Sequence, residues 1–314
     1  MFILLTGNSA AGPSELCRFS PRAEADFIWW GITTPAMRSS FCRGPLTHPV
    51  LISRAARFLA DFPTLVVRCG SIDAPVCPYM ETGARPGGDP AAGPAVPGAK
   101  LLWDSGFSLG RLLAGLCERL VIGESCTGNG VTSRLTLRAL GYRADVLEDF
   151  SSGKEGSSPW ERASSRLGIR PGDMIGHGFE AATELGDPVL VTATAITAGA
   201  MGGPDILLAG GLPMLAVSAI LRDMGEKGRI SISTTTRTEE DLGGAFGTIS
   251  ELLDLQVQRA EIGSVSDGAG ASGAVLLSGK YDITPERVLQ RVSYLCDEIS
   301  DQGRPGSPPA QGDR

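Results

Sequence analysis

The segment RLVIGESCTGNGVTSRLTLRAL, residues 119–140, constrains the fold more than any other. Residues 119–123 form an apolar β-type run, residues 124–130 are small or polar, and residues 131–140 read as a helix. A strand that turns through glycine into a helix is half of a parallel crossover unit, because parallel strands cannot be joined by a tight hairpin. The same rhythm recurs downstream. Asp205–Ala209 reads as a strand before a helix at 213–224, and residues 229–233 as a strand before a helix at 246–255. Upstream, residues 2–6 and Thr64–Arg68 read as strands, and Pro21–Trp30 has helical spacing. Residues 49–61 form an amphipathic helix with Leu51, Ala55, Phe58 and Leu59 on one face. The pattern predicts an α/β fold, a mostly parallel Rossmann-like sheet with helices on both faces, plus a small helical subdomain from the two termini. Ligands of such sheets bind at the carboxyl ends of the strands. That places residues 124–130, 210–213, 234–237 and 267–273 on one rim.

The 42 glycines lie between the apolar runs, which argues for tight turns and close backbone approaches. Residues 74–98 hold six of the 21 prolines and read as a loop without regular structure. Residues 99–117 read as helix, 170–184 as mixed, Pro188–Ala200 as a small, apolar, closely packed helix, and 285–299 as a C-terminal helix. Residues 301–314, rich in Gly, Pro, Ser and Gln, are expected to be a disordered tail. Residues 1–300 are then one domain, with 1–98 contributing helices and the Pro/Gly-rich loop. The net charge of −7 and the lack of a basic stripe speak against a nucleic-acid partner. The seven cysteines form no CxxC pair, and His48 and His177 are far apart, so neither a zinc site nor a disulfide framework is expected. Reduced thiols fit a cytoplasmic protein. The apolar start is too short for a signal peptide, and no apolar run reaches the ~18 residues of a membrane helix.

Four stretches carry candidate chemistry. In 124–130, Gly128 and Gly130 let the backbone approach an anion. The following helix start offers N–H groups and a positive dipole end. Ser125, Thr127, Thr132 and Ser133 add hydroxyls. Asn129-Gly130 stands where a Walker A loop requires Lys-Ser/Thr, which disfavours an NTPase. A phosphate cradle and a plain β–α turn both remain open, and Glu124 is what the plain turn explains least. A carboxylate beside an anion repels it unless it faces ribose hydroxyls or a reacting base. Gly210-Gly211 is a second anion-capable turn, or simply a tight turn before Pro213. Gly268, Gly270 and Gly273 form a literal GxGxxG, but no βαβ unit fits after it, so an NAD-dependent oxidoreductase is disfavoured. Asp267, just before it, is either a reactive carboxylate or a turn cap. The polar stretch 151–162 contains Lys154 and Arg162, which can close over a phosphate or belong to a solvated loop. His177 shows no Ser or Asp partner pattern.

The order of the motifs is more specific than any one of them. SPRAEADFIWWG, PVLISRAARFLA, VCPYMETGARPGGDPAAG, LVIGESCTGNGVTSRLTLRALGY, LGDPVL, ILLAGGLPMLAV, ISTTTR and DGAGASGAVLL follow one another over roughly residues 20 to 280. In this order the chain resembles the nicotinate-nucleotide–dimethylbenzimidazole phosphoribosyltransferase family, most closely its divergent archaeal-type branch. The resemblance implies transfer of ribose 5-phosphate from nicotinate mononucleotide to dimethylbenzimidazole or a similar base. Nicotinate leaves and an α-riboside phosphate for the lower ligand of cobamides is formed. It implies catalytic roles for Asp267, matching the family's basic Glu, and for Glu124 at the ribose. It implies phosphate and substrate binding by Ser125, Gly128, Gly130, Thr132, Ser152, Arg162, Gly210, Gly211, Gly268 and Gly270. It implies no cofactor and no metal, small-molecule substrates, no membrane, and a homodimer. Asp267 is one methylene shorter than the family's Glu, about 1.5 Å of reach. Cys126-Thr127-Gly128-Asn129 and Leu212-Pro213 also depart from the branch's P-G-G-T and T-Q. A relative that binds the nucleotide or base without catalysis is the alternative.

Overall fold

The strand Phe2–Asn8 (β1) is buried over six of its seven residues, as a central parallel strand must be. The computed structural model describes residues 1–12, 19–41, 48–143 and 157–302. Six more strands follow: Thr64–Arg68 (β2), Tyr79–Glu81 (β3), Arg119–Thr127 (β4), Asp205–Ala209 (β5), Ser231–Thr235 (β6) and Gln256–Ala260 (β7). They form one sheet in the order β3-β2-β1-β4-β5-β6-β7, and every neighbouring pair is parallel. The chain builds outward from β1 in one direction, then restarts at β4 and builds in the other. The boundary between β1 and β4 is therefore the topological switch point.

The helices are α1 (Pro21–Trp30), α2 (Pro35–Phe41), α3 (Pro49–Ala60), α4 (Ala99–Ala114), α5 (Asn129–Ala139), α6 (Pro159–Leu167) and α7 (Gly178–Leu185). After these come α8 (Pro188–Ala200), α9 (Leu212–Asp223), α10 (Thr236–Asp241), α11 (Gly244–Leu252), α12 (Ala271–Ser278) and α13 (Pro285–Gln302). Alternate strand residues point to opposite faces. Ile3, Leu5, Ile122 and Leu208 meet α4, α5, α7, α8 and α9 in one core. Phe2, Leu4, Val121 and Leu207 meet α1, α3, α12 and α13 in the other. The terminal helices thus form one layer covering a single face of the sheet. The α8 helix is buried throughout, and Thr192, Thr194 and Thr197 satisfy their hydroxyls on the carbonyls four residues back.

Several elements differ from the sequence expectation. The stretch 74–98 contains β3, held to β2 by Thr82 Oγ1 on Arg68 O at 2.7 Å and an Arg68–Glu81 ion pair at 2.7 Å. The helices α2, α6 and α10 and the strand β7 were not expected. Residues 157–162 open α6, where Ser158 and Glu161 form a capping box. The C-terminal helix reaches Gln302, two residues into the expected tail, and 303–314 lie outside the described residues.

The main difference lies at β4. It does not end at Gly123 but runs to Thr127, because Glu124, Ser125 and Cys126 pair in register with Leu5, Thr6 and Gly7 of β1. The expected loop 124–130 shrinks to Gly128, and α5 begins at Asn129. Gly128 has φ +80°, and a Cβ there would lie 2.8 Å from Gly12 O. Ser9 N also donates to Thr127 O at 3.1 Å. The chain leaving β1 therefore lies across the switch point itself.

The GxGxxG glycines serve packing. Gly273 is pressed against Ala209 Cβ, and Gly270 meets Gly123 backbone to backbone. A Cβ at Gly123 would sit 2.6 Å from Gly270 Cα. Both neighbours are backbone, so overpacking should cost ~1–3 kcal/mol. Gly123→Ala is expected to lower the melting temperature by several degrees in a circular-dichroism melt. An unchanged melt would mean that the two segments can separate.

Candidate functional site

A cavity of about 370 Å³ opens at the carboxyl ends of β4 to β6. All four expected rim segments reach it: Glu124 to Cys126 with Asn129 and Gly130, Gly211 to Pro213, Arg237, and Asp267 to Ala269. The opposite wall comes from Phe19, Glu24 of α1, and His48, Pro49 and Val50 at the start of α3. Of the residues anticipated from sequence, Glu124, Ser125, Gly130, Gly211, Asp267 and Gly268 line the cavity. Gly128, Thr132, Gly210 and Gly270 do not. Thr132 is fully buried and donates to Asp187 Oδ2 at 2.5 Å. A Cβ at Gly210 would lie 3.0 Å from Met214 Cγ. Arg162 is on α6, where its Nη1 donates to Ser157 O at 2.5 Å, and it is not part of the lining. Ser152 and Lys154 lie outside the described residues.

Arg134 and Glu24 are lining groups that escaped the sequence reading, whereas Arg237 belongs to the anticipated rim segment 234–237. Arg134 follows Gly130 by four residues, one turn on along the same helix face, and that spacing was a usable signal. Arg237 lines the cavity while paired to Asp241 at 2.8 Å. Glu24 is buried in α1 and accepts the Ser125 hydroxyl at 2.7 Å. Nothing near Glu24 in sequence marks it.

Three carboxyls, each 7% exposed, dominate the electrostatics. Burial raises Glu24 to about 7, against the pull of its Ser125 hydrogen bond. Burial also raises Glu124 to about 8, helped by the negative charges of Asp187, Glu24 and Asp267, while Asn129 Nδ2 donating at 2.6 Å opposes this. Burial raises Asp267 to about 6, against hydrogen bonds from Ser272 and Gly268. At neutral pH Glu124 is thus mostly a neutral acid and Asp267 mostly a carboxylate. Environments that push two carboxyls apart in this way separate an acid role from a base role.

Asp267 caps a helix. Its Oδ1 accepts from the backbone N–H of Gly268 at 2.9 Å and of Ser272 at 3.1 Å, at the start of α12. Its own N–H donates to Thr238 Oγ1 at 2.6 Å. Its Oδ2 is buried and has no hydrogen-bond partner among the described residues. A buried carboxylate oxygen left unsatisfied is costly, and Asp267 is among the residues that line the cavity. Among the described residues no group of three or more His, Cys, Asp or Glu is placed to hold a metal ion. None of their helices is long and apolar enough to cross a membrane. Cys69, Cys77, Cys117, Cys126 and Cys296 are free thiols, and Cys17 and Cys42 lie outside the described residues.

No model of a protein family matches the chain. Among solved structures, a nicotinate-nucleotide–dimethylbenzimidazole phosphoribosyltransferase from Thermus thermophilus aligns with a TM-score of 0.62 at 18% identity, over 92% of this chain and 82% of that one. The fold anticipated from the ordered motifs is therefore the fold observed. A UPF0284 protein of Pyrococcus furiosus is 35% identical over 94% of this chain and 95% of its own length. A second, from Thermococcus gammatolerans, is 34% identical over 94% and 97%. These relatives are archaeal, in keeping with the divergent branch that the motifs resemble. On this evidence of full-length similarity, the chain belongs to the UPF0284 family and shares the fold of the phosphoribosyltransferase.

Proposed function

We propose that the protein is a phosphoribosyltransferase that moves ribose 5-phosphate from nicotinate mononucleotide to dimethylbenzimidazole or a similar base. The observation that carries this reading is the partnerless, buried Oδ2 of Asp267, a residue that lines the same cavity as Glu124. One nitrogen of the acceptor's imidazole ring attacks the anomeric carbon through its lone pair. The bond from that carbon to the pyridinium nitrogen breaks, and its electrons neutralise the ring, releasing nicotinate. Asp267 Oδ2 takes the proton from the acceptor's other nitrogen. Attack from the face opposite the leaving group turns a β-nucleotide into an α-riboside. Neutral Glu124 hydrogen-bonds a ribose hydroxyl without repelling the anionic donor. The phosphate rests at the start of α5, beside Asn129 and Gly130, where backbone N–H groups and the helix dipole favour an anion. Arg134 supplies the cation there.

The direct test is to mix protein, nicotinate mononucleotide and a panel of benzimidazoles, phenols and purines, then measure free nicotinate. Arg134→Ala is expected to weaken mononucleotide binding by about 10–100-fold, the scale of a hydrogen bond to a charged group. Unchanged binding would move the phosphate elsewhere. The shorter Asp267 favours a second reading, a relative that binds nucleotide or base but does not turn it over. Tight binding with no nicotinate released for any acceptor would select it. The proposal includes a cytoplasmic homodimer supplying the lower ligand of cobamides, as the resemblance implies.

A further inference from the structure

A neutral Glu124 needs a source of negative charge that persists while the reaction runs. Three carboxyls act on it, Asp187 most strongly, then Glu24 and Asp267. Glu24 and Asp267 line the cavity, so a bound ligand pairs or screens them, and Asp267 loses its charge on taking the acceptor's proton. The other charged or titratable lining groups are His48 before α3, Arg134 of α5, and Arg237 and Asp241 of α10, which pair with each other. Asp187 is different, being fully buried and no part of the lining. Among the described residues, its hydrogen-bond partners all donate. Its Oδ1 accepts from the backbone N–H of Val189 at 2.9 Å and of Leu190 at 3.0 Å, at the start of the 13-residue α8. Its Oδ2 accepts the Thr132 hydroxyl, whose other acceptors, Asn129 O at 3.1 Å and Gly128 O at 3.4 Å, are farther away. Burial pushes the Asp187 carboxyl up, while these bonds and the α8 dipole favour its charged form.

Resting on the reaction proposed above, we infer that Asp187 is a positioning residue for the transfer: a negative charge out of the ligand's reach that keeps Glu124 a neutral acid and, through Thr132 and Asn129, fixes which of its oxygens faces the ribose. The path runs along the start of α5. Thr132 lies one turn on from Gly128 and ties that start to the start of α8. Asn129, the first residue of α5, donates from Nδ2 to Glu124 Oε2 at 2.6 Å. With Oε2 taken as an acceptor, the Glu124 proton sits on Oε1, and Oε1 is the donor left for the ribose hydroxyl. The Asp187 charge opposes loss of that proton at every stage of turnover, because its own partners are main chain and one buried hydroxyl. It acts without reorganising, as preorganised electrostatic support requires. Removing it makes Glu124 easier to ionise.

The test titrates Glu124 in the full, unliganded chain by carbon-13 NMR of the glutamate carboxyls, its signal identified by its loss in Glu124→Gln. Asp187→Asn removes the charge but still accepts from Val189 and Leu190, and Asp187→Ser is a second uncharged cap. Each is expected to lower the Glu124 titration, from about 8 in the wild type, by roughly 1 pH unit or more, the scale of a nearby like charge. In nicotinate release, the alkaline limb of kcat/KM is expected to move down by the same amount, while the acid limb set by Asp267 stays in place. A cap with a structural role alone lowers the melting temperature and the rate at every pH together, and leaves both limbs where they are. A Glu124 titration or an alkaline limb unmoved in both variants overturns the inference. A Glu124 titration that falls in the variants, with no nicotinate released by the wild type for any acceptor, sustains the reading of the Asp187 charge and overturns the proposed transfer.

Discussion

Asp267→Asn is expected to cut nicotinate release by about 10²–10⁴-fold, the usual contribution of a general base, while mononucleotide affinity stays close to wild type. Asparagine is a sharper probe than alanine here. Its carbonyl oxygen can still accept from Gly268 and Ser272, so the start of α12 keeps its cap, but it cannot take up a proton. Alanine would remove the cap as well, at ~1 kcal/mol. The pH profile of kcat/KM gives an independent reading. Below the Asp267 value of about 6 the rate should drop tenfold per pH unit, because the base is lost to protonation. Above about 8 it should fall again as Glu124 ionises beside the anionic donor. Full activity of Asp267→Asn, or a rate flat through pH 6, would remove Asp267 from the chemistry.

The unliganded protein is expected to lose stability as pH rises from 5 to 9. Glu24, Glu124 and Asp267 all have folded values above their ordinary ones, at about 7, 8 and 6. Each therefore binds its proton more tightly in the folded state. The stabilisation is complete below the unfolded value of ~4 and is lost as pH climbs through 6, 7 and 8. At ~1.4 kcal/mol for each tenfold change in proton affinity, Glu124 alone accounts for several kcal/mol. For a 314-residue chain, at ~1.5 °C per kcal/mol, Glu124 alone lowers the melting temperature by roughly 5–10 °C and the other two carboxyls add to the drop. Glu124→Gln stays neutral and can still accept from Asn129, so it should flatten much of that slope. A melting temperature that stays flat between pH 6 and 9 would show that these carboxyls are already ionised in the folded state.

The alternation of strands and helices was legible because it is written locally, in the apolar runs and the residues that break them. The rim was legible for the same reason, since parallel topology sends every β–α turn to one end of the sheet. What depends on distant pairing was not. ESCT, residues 124–127, reads as loop because its residues are small or polar, and only the register with β1 makes it strand. Glu24 meets Ser125 across 101 residues, so helical patterning alone hid it. The glycines of 268–273 looked like a nucleotide fingerprint, whereas their spacing answers to Gly123, Ala209 and Pro49. Arg162 looked suitable by charge, but α6 carries it away from the lining, and Arg134 stands there instead.

The contact of Gly123 with Gly270 acts as a mechanical stop. Two backbones that already touch have no rotamers to adjust, so the segment carrying Asp267 cannot slide inward to make up the missing methylene. The carboxyl's depth in the cavity is gauged by main chain rather than by side-chain play. In the proposed transfer, the ~1.5 Å that separates an aspartate from a glutamate is then left to the acceptor, or to a water between them. Under that proposal residue 267 is a ruler for the width of the incoming ring, and exchanging one acid for the other is expected to recalibrate which bases the cavity admits.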